Sequence, residues 1–245
     1  MVYYFFSQGY SGDKAAYMRI NGPAKLLRKG DRTRQRIVAQ AAPLFNQKGY
    51  EGCSMGEIME AAEIEKGGIY RHFASKEELA LAAFDFAWEE VSHGRTRGLE
   101  EIEDPLLRLE AFIRNFVERR PTLPGGCPLL NTAIDSDDGN AALRARAQEA
   151  LAGWRTRLCS LVDSAMRQGT AKRGIQPRAV ASIVIGMLEG ALMMSRLDGN
   201  RHALETARDH LISYITSLRV EIPSRRRETR AQVDKGDRRL HIIPG

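Results

Sequence analysis

Apolar positions along this chain recur at helical spacing almost throughout. Ile37, Ala41, Leu44 and Phe45 mark a first helix over about 32–48, which Pro43 should kink and Gly49 should end. Ser54 and Glu57 form a capping box ahead of a short helix whose apolar face is Ile58, Met59, Ala61 and Ala62. Glu63-Ile64-Glu65 breaks that pattern, and Lys66–Phe73 resumes it with Ile69, Tyr70 and Phe73. Ser75 caps the next helix, with Glu78 closing a second box; it runs to His93. Its apolar residues, from Leu79 to Val91, lie all around it, so it should be buried on more than one side and join a small head to a larger body. Gly94, Gly98 and the charged run to Asp104 read as a linker.

Further helices are predicted over 105–120, 140–169, 177–197 and 201–218, with a short apolar segment at 127–134. The fold class is all-α. The expected division is an N-terminal extension over 1–24, a helix-turn-helix head over 25–74, a helical body over 75–219 and a disordered basic tail over 220–245. Six basic residues, Lys25, Arg28, Lys29, Arg32, Arg34 and Arg36, precede the head as a candidate arm for phosphates or a solvated helix start. Met18 offers a second translation start.

Composition narrows the picture. The chain has 245 residues and a net charge of +6, which suits a polyanionic partner. Three cysteines, Cys53, Cys127 and Cys159, with no C-x-x-C spacing argue against a disulfide framework or a zinc site, and point to a reducing cytoplasm. No metal and no cofactor are expected. No phosphate loop, nucleophile elbow or H-E-x-x-H is present, which leaves a helical enzyme without a catalytic constellation. The most apolar run, 179–197, is interrupted by Ser182, Glu189 and Arg196, so no membrane span is expected.

The chemistry concentrates between Ser54 and Lys76. Lys66 and Arg71 are cations on the second short helix, Tyr70 and His72 bring short-range donors, and Lys76 stands at a helix start where free N–H groups favour a phosphate. Gly67 and Gly68 cost about 1 kcal/mol each against alanine, a cost that close approach of backbone to DNA explains. Ser54 and Met55, at the start of the preceding helix, complete the candidate DNA-contact set.

The segments RQRIVAQAAPLFNQKGYEG, SMGEIMEAAEI, KGGIYRHF and SKEELALAAF resemble the DNA-binding domain of the tetracycline-repressor (TetR) family of bacterial regulators. The resemblance implies that Tyr70, His72 and Lys76 meet backbone phosphate, and that Lys66, Gly67 and Gly68 lie in or beside the major groove. Glu63 stands where the family usually has a turn glycine, and Glu65 where it often has a serine or threonine cap. The resemblance also implies a four-helix dimer interface from the last two helices. Val184, Gly186, Met187, Gly190, Leu211 and Ile215 are the candidates, with Gly186 and Gly190 allowing close helix approach.

For a small molecule, Trp88, Phe112, Phe116, Trp154 and Met166 are candidate lining residues, with Asn131 and Thr132 as polar anchors. The function expected is a homodimeric repressor that leaves double-stranded operator DNA when an apolar or aromatic inducer fills the body. The alternative is a DNA-binding thiol sensor of oxidants or electrophiles acting through Cys127. No cation is fixed beside Cys127 in sequence, and a small buried hydrophobe is its simpler reading.

Overall fold

The computed structural model describes residues 28–119 and 123–220; the N-terminal extension, Lys25, Pro121-Thr122 and the basic tail beyond Val220 lie outside them. Among the described residues the regular structure is helical: α1 Lys29–Gly52, α2 Met55–Ala61, α3 Lys66–Ile69, α4 Lys76–Thr96, α5 Pro105–Glu118, α6 Pro128–Asp135, α7 Ala141–Gln168, α8 Pro177–Asp198 and α9 His202–Ser217. An isolated antiparallel bridge, Ala171 to Arg219, ties the start of the α7–α8 loop to the end of α9.

Local chemistry sets most of the boundaries. Pro105, Pro128 and Pro177 open their helices, where a missing N–H costs nothing. Asp104 caps α5 through the N–H groups of Leu106 and Leu107, and Asn140 caps α7 through that of Leu143. Gly169 and Gly199 end α7 and α8 in the left-handed conformation. Asp104 also receives Arg219 at 2.8 Å, which pins the end of α9 to the start of α5.

Four expectations change in detail. Backbone dihedrals stay helical through Pro43, and the departure inside α1 falls at Gly49, at φ 75° and ψ 174°. The basic residues Lys29, Arg32, Arg34 and Arg36 lie on α1 itself rather than on an arm ahead of it. Helix α4 continues past His93 to Thr96, so Gly94 and Arg95 are helical rather than linker. Helix α8 is long and apolar enough to cross a membrane by length and composition, contrary to expectation, but its Val180, Val184, Leu188 and Ala191 are buried in the body core.

There are two cores. The head core joins Ile37, Ala41, Ile58, Ile69 and Phe73 to Leu79, Ala83 and Ala87 of α4 and to Leu123. A boundary at residue 74 therefore divides it. The body core is built from α5, α7, α8 and α9, and takes Phe84 from α4. One helix thus serves both cores.

Candidate DNA-reading head and ligand cleft

The head is held by its caps. Ser54 Oγ accepts from the Glu57 N–H at 3.2 Å, and the Glu57 carboxylate accepts from the Ser54 N–H at 2.9 Å. Lys48 also bonds to Glu57. The Lys48 bond, then the two from Ser54, draw the Glu57 carboxyl down to about 2. The turn after α2 passes through Glu63 at φ 48°, a left-handed conformation on a side chain with no special tolerance for it. Glu65 occupies the N-cap of α3 but makes no capping bond with its side chain.

The expected second helix over 66–73 is four helical residues followed by a turn, with the Phe73 N–H still reaching the Ile69 carbonyl at 3.1 Å. Ile69 and Phe73 are buried, which leaves Lys66, Gly67, Tyr70 and Arg71 exposed together. Arg71 Nε bonds back to the Gly67 carbonyl at 3.2 Å. Lys76 lies over the Tyr50 ring, 4.5 Å from its centroid, which fixes its stem at the start of α4. His72 and Met55 are half-buried, and Ser54 is exposed with its hydroxyl engaged in the cap. The second box is shifted by one residue: Ser75 Oγ accepts from Glu78 N–H, but the Glu78 carboxylate reaches the N–H of Ala74 and not that of Ser75. Arg34 completes this corner, bonding Glu78 at 3.1 Å and lying over the Phe73 ring.

The two glycines of α3 have different reasons. A Cβ on Gly67 would meet nothing within 4 Å, but one on Gly68 would stand 2.6 Å from Ile64 Cγ1. Gly68 is therefore required by the turn's own packing, and only Gly67 offers bare backbone to a partner.

Head and body are clamped at the end of α1. Asn131 Nδ2 donates to the Asn46 carbonyl and side-chain oxygens and to the Gly125 carbonyl, at 2.8–3.0 Å. Asn46 Nδ2 donates to Pro124 and Gly126 carbonyls, and the Asp135 carboxylate accepts from the Tyr50 N–H. Asn131 Nδ2 is thus occupied in this clamp, at a junction apart from the cleft lined by Trp88 and Trp154; Thr132 lines the same junction. Met166 sits twelve residues beyond Trp154 on α7, about 18 Å along the helix, and is not among the residues lining the cleft with Trp154.

The body holds a cleft between α4, α5 and α7, about 1030 Å³ including its open mouth, lined by Trp88, Ser92, Arg95, Thr96, Phe112 and Trp154 among others. Phe116 faces a smaller cavity on the other side of Arg95, beside Cys127 and Leu192. Sequence reasoning missed Arg95, the charged group at the centre. Its guanidinium carbon lies 4.2 Å from the Phe116 ring centroid, 4.7 Å from that of Trp154 and 5.6 Å from that of Trp88. Its Nη2 is 3.5 Å from Glu189 of α8 and 3.4 Å from Cys127 Sγ. So a cation does stand beside Cys127. Burial nevertheless raises the thiol, against the opposing Arg95 and with help from Glu189, to about 11. Burial likewise raises the Glu189 carboxyl. The available signals for this cluster were a lone glutamate interrupting an apolar helix and an arginine two residues past the predicted helix end.

The candidate dimer positions separate into two groups. Val184, Leu211 and Ile215 are fully buried in the core of their own subunit and present nothing to a partner. Gly186, Met187 and Gly190 are at least partly exposed, on a face that also carries Ile183, Met193, Met194 and Leu197.

A three-helix head with a capped turn, set on a helical body by one shared helix, is the architecture of a helix-turn-helix DNA-binding protein with a second, helical domain. Residues 37–83 match the family described as "Bacterial regulatory proteins, tetR family", and residues 105–211 match "Tetracyclin repressor-like, C-terminal domain". The crystal structure of a TetR transcriptional regulator from Chloroflexus aurantiacus J-10-FL is similar at a TM-score of 0.76 and 44% identity, covering 80% of this chain and 100% of that one. A TetR-family regulator from Cytophaga hutchinsonii is similar at the same TM-score of 0.76 and 33% identity, with 80% and 100% covered. Among curated relatives, the HTH-type transcriptional repressor DhaR of Mycobacterium sp. (strain GP1) is 25% identical over 174 residues, 70% of this chain and 86% of DhaR. The chain belongs to the TetR family of transcriptional regulators. Proteins of this family bind operator DNA and act as dimers.

Proposed function

We propose that this protein is a homodimeric cytoplasmic repressor that an apolar or aromatic small molecule releases from its operator. The observation that carries the reading is α4. Its N-cap, Ser75, follows the α3 turn at once, its first half packs in the head core, and Trp88 and Arg95 on its second half line the body cleft. A displacement at the cleft therefore has a stiff path to the reading face formed by Lys66, Gly67, Tyr70, Arg71 and Lys76. Asn140 of α7 and Asp85–Arg146 add polar ties between this rod and the body. For the dimer, the exposed α8 face of Ile183, Gly186, Gly190, Met193 and Leu197 is the proposed contact. The thiol-sensor alternative is supported by the Arg95–Cys127 approach, but a buried thiol with a raised pKa holds little thiolate at neutral pH.

The test is selection of bound DNA from a random pool, followed by affinity measurements on the selected sequence with and without candidate effectors. Linkage requires DNA to weaken effector binding by the factor the effector weakens DNA binding, roughly 5–150-fold for ordinary couplings. Equal effector affinity with and without DNA rejects the inducer reading.

A further inference from the structure

The exposed end of α3 carries a carboxylate that the fold does not use. Glu65 is the N-cap of α3, with extended backbone at φ −77° and ψ 161°, and its side chain makes no capping bond. Its carbonyl serves the turn instead, accepting from the Gly68 N–H at 2.8 Å and the Ile69 N–H at 3.1 Å. The side chain is exposed and has no hydrogen bond or ion pair to the described residues. Glu57 and Glu78, by contrast, are held in their caps by Lys48 and Ser54 and by Arg34 and the Ala74 N–H.

We propose that the Glu65 carboxylate reads a cytosine in each operator half-site, accepting a hydrogen bond from its N4 amino group in the major groove. The proposal rests on the assignment of α3 as the reading helix and adds to it a residue that sets sequence preference. Placement comes first. A reading helix meets base edges with its N-terminal residues. Here those are Glu65, Lys66 and Gly67, all exposed, while Ile69 and Phe73 turn inward. A Cβ on Gly67 would meet nothing within 4 Å, so this end of α3 can approach base edges closely, with Glu65 and Lys66 beside bare backbone. Chemistry then selects the base. A carboxylate only accepts. Guanine presents two acceptors in the major groove, and thymine an acceptor and a methyl group, so neither can pair with it. Adenine offers an amino group but sets its N7 acceptor next to it. Cytosine offers an amino group with no acceptor of its own on that edge. The carboxylate also repels phosphate, and the exposed Lys66 and Arg71 of the same helix and turn offset that repulsion. What remains is a penalty on every base but cytosine, which is how a repulsive group confers specificity.

The test takes the full-length parent, Glu65→Gln, Glu65→Ala and Lys66→Ala proteins and selects the DNA that each binds from a random pool. The parent should select cytosine at one position of each half-site, and replacing that C·G pair by T·A should weaken its binding about tenfold. A glutamine side chain keeps the shape and reads adenine through N6 and N7, so Glu65→Gln should change the preferred base at that position from cytosine to adenine. Glu65→Ala should bind the C·G and T·A sequences within about twofold of each other, and should hold random DNA tighter than the parent does, because a repulsion is gone. The Glu65 side chain bonds to nothing in the subunit, so both variants should fold with unchanged helical content. A merely structural role would weaken binding to all sequences alike and move no base preference. Selected sequences that are the same for the parent and both Glu65 variants overturn the proposal. If Lys66→Ala still changes them, α3 remains the reading helix and Glu65 alone is excluded; if it does not, the assignment of α3 falls as well. A parent preference for another base at the position that Glu65→Ala relaxes also overturns the proposal.

Discussion

Ile64 occupies the space in which Gly68 would carry a side chain: a Cβ there would lie 2.6 Å from Cγ1 and 2.9 Å from Cδ1. Gly68→Ala must push Ile64 aside. Since Ile64 is only half-buried, the cost should fall near the low end of overpacking, about 1 kcal/mol. Gly67→Ala meets no neighbour and should gain up to about 1 kcal/mol from helix propensity. Thermal melts should therefore move in opposite directions for the two variants. Operator affinity should fall for Gly67→Ala despite its added stability, because the bare backbone there is the part proposed to approach DNA. Full affinity in that variant would remove Gly67 from the contact set.

The turn before α3 carries a local strain that substitution can relieve. Glu63 sits at φ 48°, where an L side chain costs roughly 1–2 kcal/mol. Glu63→Gly removes that cost and adds about 0.5–1 kcal/mol of unfolded-chain entropy, so a net gain of up to about 1 kcal/mol is expected. A lower melting temperature would mean that the Glu63 side chain makes up for its conformation in some other way.

How much of this was legible beforehand depended on how local the cause was. Capping boxes and N1 prolines act within four residues, so Ser54 and Glu57 and Pro177 marked real helix starts. The shift of Glu78 to Ala74 escaped because the box pattern does not specify which of two adjacent N–H groups is met. Arg95, Cys127 and Glu189 come from three separate helix ends and faces, and nothing in their sequence spacing brings them together. Helix α8 is apolar around most of its circumference, so its composition could not tell Val184, which faces the core, from Ile183, which faces outward. The family resemblance proposed the reading residues; the packing around Gly68 and Lys76 needed coordinates.

Cysteine chemistry separates the effector reading from the thiol alternative. With its thiol pushed up to about 11, Cys127 has on the order of one part in a thousand as thiolate at pH 8, and it is fully buried besides. Cys159 is partly exposed. Iodoacetamide at pH 8 should label Cys159 in the native protein and Cys127 only after denaturation, as peptide mass analysis can show. Rapid native labelling of Cys127 would revive the sensor.

The Glu57 cap makes the head sensitive to acid. Its folded-state value near 2 lies below the ordinary value of about 4.3 for glutamate, so the carboxylate contributes stability above about pH 4.3. That contribution is lost as pH falls from there through about 2. Glu57→Gln, which has no charge to titrate, should melt below the parent protein at pH 7, and the difference should shrink steadily from pH 5 to pH 2.5. A constant difference across that range would show that the cap works through geometry alone.

The dimer prediction gains from the burial pattern of α8. Substituting Val184, Leu211 or Ile215 would damage the subunit core and confuse folding with assembly. Gly186 and Gly190 are cleaner sites, because a Cβ on either meets nothing within 4 Å in the single subunit. Gly190→Leu should therefore leave the subunit folded, with unchanged helical content. If the Gly186–Gly190 face packs against its copy, the added isobutyl group keeps the two helices apart and the dimer dissociates. The functional consequence is large, since paired reading heads engage half-sites about 34–36 Å apart and a monomer keeps one of them. Light scattering should give a monomer mass, and the selected DNA should be bound with an affinity close to that for an isolated half-site. A folded Gly190→Leu variant that remains dimeric would place the interface on another surface of the body.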